Sequence, residues 1–359
     1  MWEIEDFAEY RLRLIHCLKN LAIFGFLNVI AGMVENEVSK SHRQPSRRLK
    51  AIPETHELPT DSPHPLFPRL LIALRPWSFP ASLSPLLICC SVLLRQGNLD
   101  CTKALVFAVG ILALQASANL LNSFCDFRNG LDKKESSGDR TLVDALVTKT
   151  EFPFLFLSLI LVWLVSFIFT VPSNLALLQA YLTVYAVGVS LAVLYSAGSK
   201  PLKFIGFGDL AVFLSFGPLL VVAAAIATSL KFQEDYIFKV LLAALPAALL
   251  VVAILQANNH RDRTTDAKAH ARTVSVRLGE SKSIIYFAFL VLAPPALSVL
   301  VALLVPELRG SACGCLILPL GWRLTRLIRA SVVPRDIDAQ TAKLMMMYGV
   351  ACSLGICLL

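Results

Sequence analysis

The sequence predicts an all-α membrane protein of about nine transmembrane helices, and three observations predict it. First, 56% of the 359 residues are apolar and 16% are charged, with a mean hydropathy of +0.66. A soluble domain carries about 25% charge. Second, no Asp, Glu, Lys, Arg or His occurs across 76–94, 104–125, 152–199, 210–230, 240–259 or 283–306. A hydrocarbon core about 30 Å thick is crossed by roughly 20 residues at ~1.5 Å each, so these windows exclude a soluble chain. Third, lysine and arginine crowd into alternate loops.

The helices follow in order. Window 152–199 has room for two spans, with a break at Pro172, Ser173 and Asn174, and shorter apolar runs follow Arg309 and close the chain at 344–359. The expected helices are 77–94, 104–124, 152–171, 175–197, 207–229, 237–258, 283–305, 311–328 and 342–359. Loops after the even-numbered helices, with the helix ends beside them, hold 18 Lys/Arg, those after the odd-numbered ones hold 5 counted the same way, and the other 10 precede the first helix on the side of the 18. That is the positive-inside pattern, which places the even loops in the cytosol. It also accounts for the net charge of +8 and pI of 9.1 without a nucleic-acid partner.

Residues 1–67 read as a separate extension. Glu3, Glu5, Asp6 and Glu9 lie in its first segment, and the apolar run 21–34 is short for a span. It reads as an interfacial helix or a marginal extra span, and the acidic flanks argue against a signal or transit peptide. The protein is therefore expected in the endoplasmic reticulum or Golgi, with a mitochondrial membrane as the alternative. Proline-rich 40–68 reads as a disordered linker. The nine cysteines lie mostly in apolar runs and read as small hydrophobes.

Three polar elements end on the cytosolic side. In the first, Asn119, Asn122 and Asp126 stand at i, i+3 and i+7 on one face at the end of the second helix, before Arg128, Asp132, Asp139 and Arg140. Such a stripe at membrane depth needs partners; helix–helix hydrogen bonding by the amides, with Asp126 as an end cap, is the structural alternative. In the second, Asn258, Asn259 and Arg261 precede Asp262 and Asp266, which stand at i, i+4 after the sixth helix. Read alone, that pair is a solvated helix end. Two carboxylate clusters on the same side suit a hard cation such as Mg²⁺, and the interleaved arginines suit a metal–phosphate complex. The third element runs from Tyr195 through Gly198, Lys200, Lys203 and Gly206 to Asp209. Its glycines permit close backbone approach, Lys203 can reach a phosphate, and Asp209 is placed to cap the fifth helix or orient a basic group.

The first motif, "NNHRDRTTD" at 258–266 and the "VRLGE" after it resemble the UbiA superfamily of intramembrane prenyltransferases. "ALRPWSFPASLSP", "GDRTLVD" and "YSAGSKPLKFIGFGDLAVFLSFGPL" resemble its animal, menaquinone-4-forming branch. The resemblance covers 68–359. It departs at Ser123, where many members carry a second acidic residue, which leaves Asn122, Asp126 and Asp132 for the first cluster. It implies a UbiA-like bundle whose apolar, aromatic chamber is capped on the cytosolic side. It implies an isoprenyl diphosphate donor, geranylgeranyl first, bridged by Mg²⁺ on Asn122, Asp126, Asp262 and Asp266. Lys203, Arg140, Arg128 and Arg261 would neutralise further charge, and Tyr195 would face the allylic cation. Asn119, Asp132, Asn258 and Asn259 would help bind substrate. The acceptor implied is an aromatic quinol such as menadiol. Ubiquinone-type relatives take 4-hydroxybenzoate, which calls for a basic group inside the chamber, and the helical runs hold no such charge away from the rim. A transporter is the reading from another class, but transporters bind near the midplane and these clusters share one face. A non-catalytic sensor of prenyl diphosphate is a third.

Overall fold

The structure is a computed structural model and describes residues 58–128, 139, 141–198 and 200–359. The expected helix at 21–34 and the site candidates Asp132 and Arg140 lie outside the described residues. Among the described residues there is no strand, only helices joined by short turns. They are α1 (Leu66–Ala73), α2 (Pro80–Arg95), α3 (Cys101–Arg128), α4 (Glu151–Thr170) and α5 (Leu175–Ser196), then α6 (Gly208–Thr228), α7 (Glu234–Arg261) and α8 (Arg263–Lys268). After these come α9 (Val274–Leu304), α10 (Leu318–Leu327) and α11 (Ile337–Leu358).

Seven of these helices are long and apolar enough to cross a membrane, and an eighth counts if Leu66–Ser78 and Pro80–Arg95, bent by 55°, form one span. The expected count of nine is not reached on that measure, because 311–328 is not one α-helix. A three-ten segment, Pro306–Ile317, precedes the short α10. Gly310 there packs backbone to backbone on Gly355 near the end of α11, a contact that any side chain would block. The chain then returns to the opposite end of the bundle, where the Arg335 carbonyl accepts from Arg261 at 2.6 Å.

Composition decides which helices sit inside. Only 6% of the most apolar window of α4 and 11% of that of α5 are buried, against 56% for α7. Phe154, Leu157, Leu161 and Phe169 of α4 and Leu175 and Leu182 of α5 point outward, as such side chains do where lipid is the solvent. The α7 helix presents Ala243, Ala244, Ala247, Ala248, Ala253 and Ala257 to its neighbours, all buried. Small residues let backbones approach where burial alone gives little drive to associate. The α6 helix breaks at Gly217 (φ −95°, ψ −106°) before Pro218, and a Cβ at Gly217 would lie 2.7 Å from that of Ala248.

Candidate active site

Three segments distant in sequence meet at one end of the bundle: the end of α3, the turn 197–207, and the α7–α8–α9 junction. The sequence reading placed all three on one side, and the structure does the same. Asn122 and Asp126 sit one turn apart on α3, with the Asn122 amide donating to Asp126 at 3.2 Å. The turn brings Lys203 over them, its ammonium 2.5 Å from Asp126 and 2.6 Å from the Asn122 carbonyl oxygen, which also accepts from Ser196 at 2.7 Å. Lys203 is largely buried, and its Nζ lies 5.9 Å from the Tyr195 ring and 5.0 Å from that of Phe204.

The i, i+4 spacing of the second motif survives a change of helix. Asp262 ends α7, and the Asp266 amide bonds to its carbonyl at 2.9 Å, which carries the turn into α8. Arg261 reaches Asp262 at 2.8 Å, Asp338 at 3.1 Å and the Asn258 carbonyl oxygen at 2.5 Å. Its guanidinium is thus consumed in holding the acidic motif in place. Among the described residues the Asp266 side chain receives only a long contact from Thr273, 3.5 Å. Burial, then the charges of Asp262 and Asp126, push its carboxyl up to about 7.

These groups line a polar cavity of about 270 Å³ with Asn122, Asp126, Lys203, Asn258, Asn259, Asp262 and Asp266 in its wall. Beside it lies a largely apolar cavity of about 300 Å³ between α3, α5, α6 and α7. The two share Arg75, Trp77, Asn122, Tyr195, Asn258 and Asp338. A polar vestibule therefore continues into an apolar chamber. Asn119 lines the chamber and donates to Ser78 at 3.0 Å, so it belongs with the chamber wall rather than the carboxylates.

Several expectations need correction. Arg128 lines neither cavity: it is exposed, with its guanidinium 5.7 Å from the Phe124 ring. Asp209 makes no cap; it is buried beside the Tyr286 hydroxyl, with one carboxylate oxygen unpartnered. The chamber is less aromatic than 21 phenylalanines suggested. Among the described residues its aromatic lining is Trp77, Tyr185, Tyr195 and Phe216, because the other described phenylalanines pack elsewhere or face outward.

Three residues of the vestibule wall had no assigned role from sequence. Arg75, in the left-handed region (φ 55°), pairs with Asp139, whose side chain is 11% exposed. Burial alone would raise the Asp139 carboxyl, but Arg75 together with Ser123 and Thr141 brings it below the ordinary value of 3.8. Asp338, at the start of α11, completes the Arg261 cluster. For Asp139 the "GDRTLVD" motif was the available signal; nothing local marks Asp338.

Facing the vestibule, the acceptors are all oxygens: the carboxylates of Asp126, Asp139, Asp262, Asp266 and Asp338, of which Asp139 is paired with Arg75 and Asp338 with Arg261, and the amides of Asn122, Asn258 and Asn259. That set suits a hard divalent cation. Among the described residues no three acid, His or Cys side chains converge closely enough to hold an ion by themselves. The residues thus fit a cation that takes its remaining ligands from a bound anion. An acidic, cation-suited vestibule opening into a dry chamber within a helical membrane bundle defines an intramembrane enzyme for amphiphiles with a charged head.

Comparison with known proteins agrees. The profile of the UbiA prenyltransferase family matches residues 82–350. The "UbiA prenyltransferase domain-containing protein 1" of Mus musculus is 31% identical over 316 residues, 85% of this chain and 89% of that protein. The Homo sapiens protein of the same name is 32% identical over 317 residues, 85% and 88%. That of Dictyostelium discoideum is 34% identical over 215 residues, 58% of this chain and 64% of that protein. A UbiA homologue from Archaeoglobus fulgidus, solved with GPP and Mg²⁺, shares the fold with a TM-score of 0.56 at 15% identity, over 81% of this chain and all of that one. The chain belongs to the UbiA prenyltransferase family, enzymes that transfer prenyl groups.

Proposed function

We propose that the protein transfers a geranylgeranyl group from its diphosphate to a ring carbon of a quinol such as menadiol, giving menaquinone-4. One observation carries the reading: the vestibule and the chamber share a wall at Asn122, Tyr195 and Asn258. A diphosphate held among the carboxylates thus puts its allylic carbon at the chamber mouth. Archaeal homologues of this fold were solved with GPP or DMAPP and Mg²⁺, and the oxygen-only donor set here suits the same ion.

Asn122, Asp126, Asp262 and Asp266 would hold Mg²⁺, which neutralises diphosphate charge when bound. Lys203 adds a positive charge where the leaving group gathers negative charge. The C1–O bond of the donor breaks and the electron pair leaves with the diphosphate. Tyr195 faces the allylic carbon at the mouth, and the apolar wall beyond keeps water from the cation. The ring carbon then bonds to C1 and loses its proton.

The acceptor reading rests on charge. The charged residues lining the chamber are Arg75 and Asp338, both also at the vestibule, and Arg75 is paired with Asp139. Among the described residues no free cation waits there for the carboxylate of 4-hydroxybenzoate, so a neutral quinol fits better. The sidedness of the lysines and arginines supports a vestibule open to the cytosol, and endoplasmic reticulum or Golgi residence remains part of the proposal. Purified protein in liposomes, given geranylgeranyl diphosphate and Mg²⁺, should prenylate menadiol and leave 4-hydroxybenzoate unreacted. Preference for 4-hydroxybenzoate would overturn the acceptor assignment, and donor binding with no transfer to either would favour a sensor.

A further inference from the structure

Most glycines inside these helices serve close packing, and two depart from it: Gly279, which has open space around it but sits at a left-handed kink in α9 (φ 72°), and Gly188. At Gly110, Gly217, Gly310, Gly349 and Gly355 an added Cβ would collide with Ser166, Ala248, Gly355, Ser84 and Gly310 respectively. Gly188, in the middle of α5, meets nothing within 4 Å. It is nevertheless part of the chamber wall.

Helical geometry places it within that wall. At 3.6 residues per turn, the lining residues Tyr185, Gly188, Val189, Leu191, Ala192 and Tyr195 fall on an arc of roughly 160°, and Gly188 lies near its middle. Tyr195 marks the mouth, because it also lines the vestibule. Tyr185 marks the floor and is held in place: its hydroxyl accepts from Tyr181 at 3.4 Å, and its ring meets Phe167 and Tyr181 edge-on with centroids 4.9 and 4.8 Å away. Gly188 is one turn above this floor and seven residues, about 10 Å along the axis, below the mouth. The reacting carbon and the aromatic acceptor must meet at the mouth. What extends 10 Å further can only be the tail of the donor.

We propose that Gly188 sets the length of prenyl chain the chamber accepts: its missing side chain is the space through which the distal part of a long donor passes. This rests on the prenyl-transfer reading above. A side chain there would leave a short donor untouched and obstruct a long one, because only the latter reaches that depth. A purely structural glycine would behave differently, since alanine in its place would improve the helix and leave donor choice alone.

The test is kcat/KM for dimethylallyl and geranylgeranyl diphosphate, with menadiol and Mg²⁺ in liposomes, for wild type, Gly188→Ala, Gly188→Val and Gly188→Phe, alongside thermal unfolding of each. The expected result is a stepwise fall in the ratio of long to short donor, roughly 10-fold or more at Gly188→Phe, with dimethylallyl transfer retained. If Gly188→Phe fails to fold, Gly188→Ala adds only a methyl group and must shift the ratio in the same direction. An unchanged ratio, or an equal loss with both donors, overturns the assignment. If the wild type transfers neither donor, the function itself is wrong and the assignment falls with it, an outcome distinct from active variants with no change of preference.

Discussion

Asp266 is half-buried beside two other carboxylates with one long hydrogen bond of its own among the described residues. With its carboxyl pushed up to about 7, it holds a proton below neutrality in the ion-free protein. A cation binds the ionised form, so proton and metal compete. Apparent Mg²⁺ affinity should therefore rise with pH, up to ~10-fold per unit below 7, and level off above it. Magnesium titrations of activity at pH 6, 7 and 8 check this, and Asp266→Asn should be weaker but flat. At Lys203 the ammonium already occupies the position between Asn122 and Asp126. Lys203→Met should raise the KM for the diphosphate donor and lower kcat together, by roughly 100-fold in kcat/KM. Lys203→Arg, with a wider planar head on a crowded site, should recover only part of it. The sequence disclosed these residues because each belongs to a local motif. Asp338 was not legible: its role comes from Arg261, 77 positions away.

At the scale of elements, the Lys203 turn is clamped to the loop after α8. Arg277 donates to the Ile205 and Arg272 carbonyls at 2.6 and 3.1 Å, and the Arg272 amide donates to the Phe204 carbonyl at 2.9 Å. Gly206 (φ 81°) makes room, since a Cβ there would sit 2.6 Å from the Arg277 Nε. Arg277→Ala should lower kcat/KM about 10-fold while leaving Lys203 in the chain, and its effect should not add to that of Lys203→Met. Kinetics of the double variant decide this. A second device is the Arg75–Asp139 pair, which ties the segment before α2 to the loop after α3. Arg75→Met takes the counter-charge from Asp139 and leaves its Ser123 and Thr141 hydrogen bonds, and should cost about 2 kcal/mol at pH 7. Because the Asp139 carboxyl is held below 3.8 when folded, its contribution is present above pH ~4 and is lost as pH falls through the lowered value. The deficit of Arg75→Met should accordingly shrink in acid, as read by thermal unfolding. Neither device was read from sequence, since both depend on which distant loops meet.

For the whole molecule, hydropathy and charge asymmetry disclosed the most. The charge-free windows located the helices, and parity put three motifs at one end, where the structure also has them. Patterning did not disclose the interruption of 311–328, because composition alone does not distinguish a three-ten run from an α-helix. Nor did a count of phenylalanines reveal that most would face away from the chamber. Sidedness has its own check. Exposed Lys268 lies at the vestibule end and exposed Lys231 at the other, so Lys268→Cys should react with an impermeant thiol reagent from the cytosolic side and Lys231→Cys from the opposite one, in a background where the exposed Cys101 and Cys357 are replaced. The most direct test of the account is prenyl transfer itself. Purified protein in liposomes would receive geranylgeranyl diphosphate and menadiol, with Mg²⁺ or with EDTA, alongside Asp126→Ala and Asp262→Ala. The account predicts a prenylated naphthoquinone that forms only with Mg²⁺ and falls roughly 100-fold or more in both variants. Product formation that survives EDTA, or survives loss of either carboxylate, would contradict it.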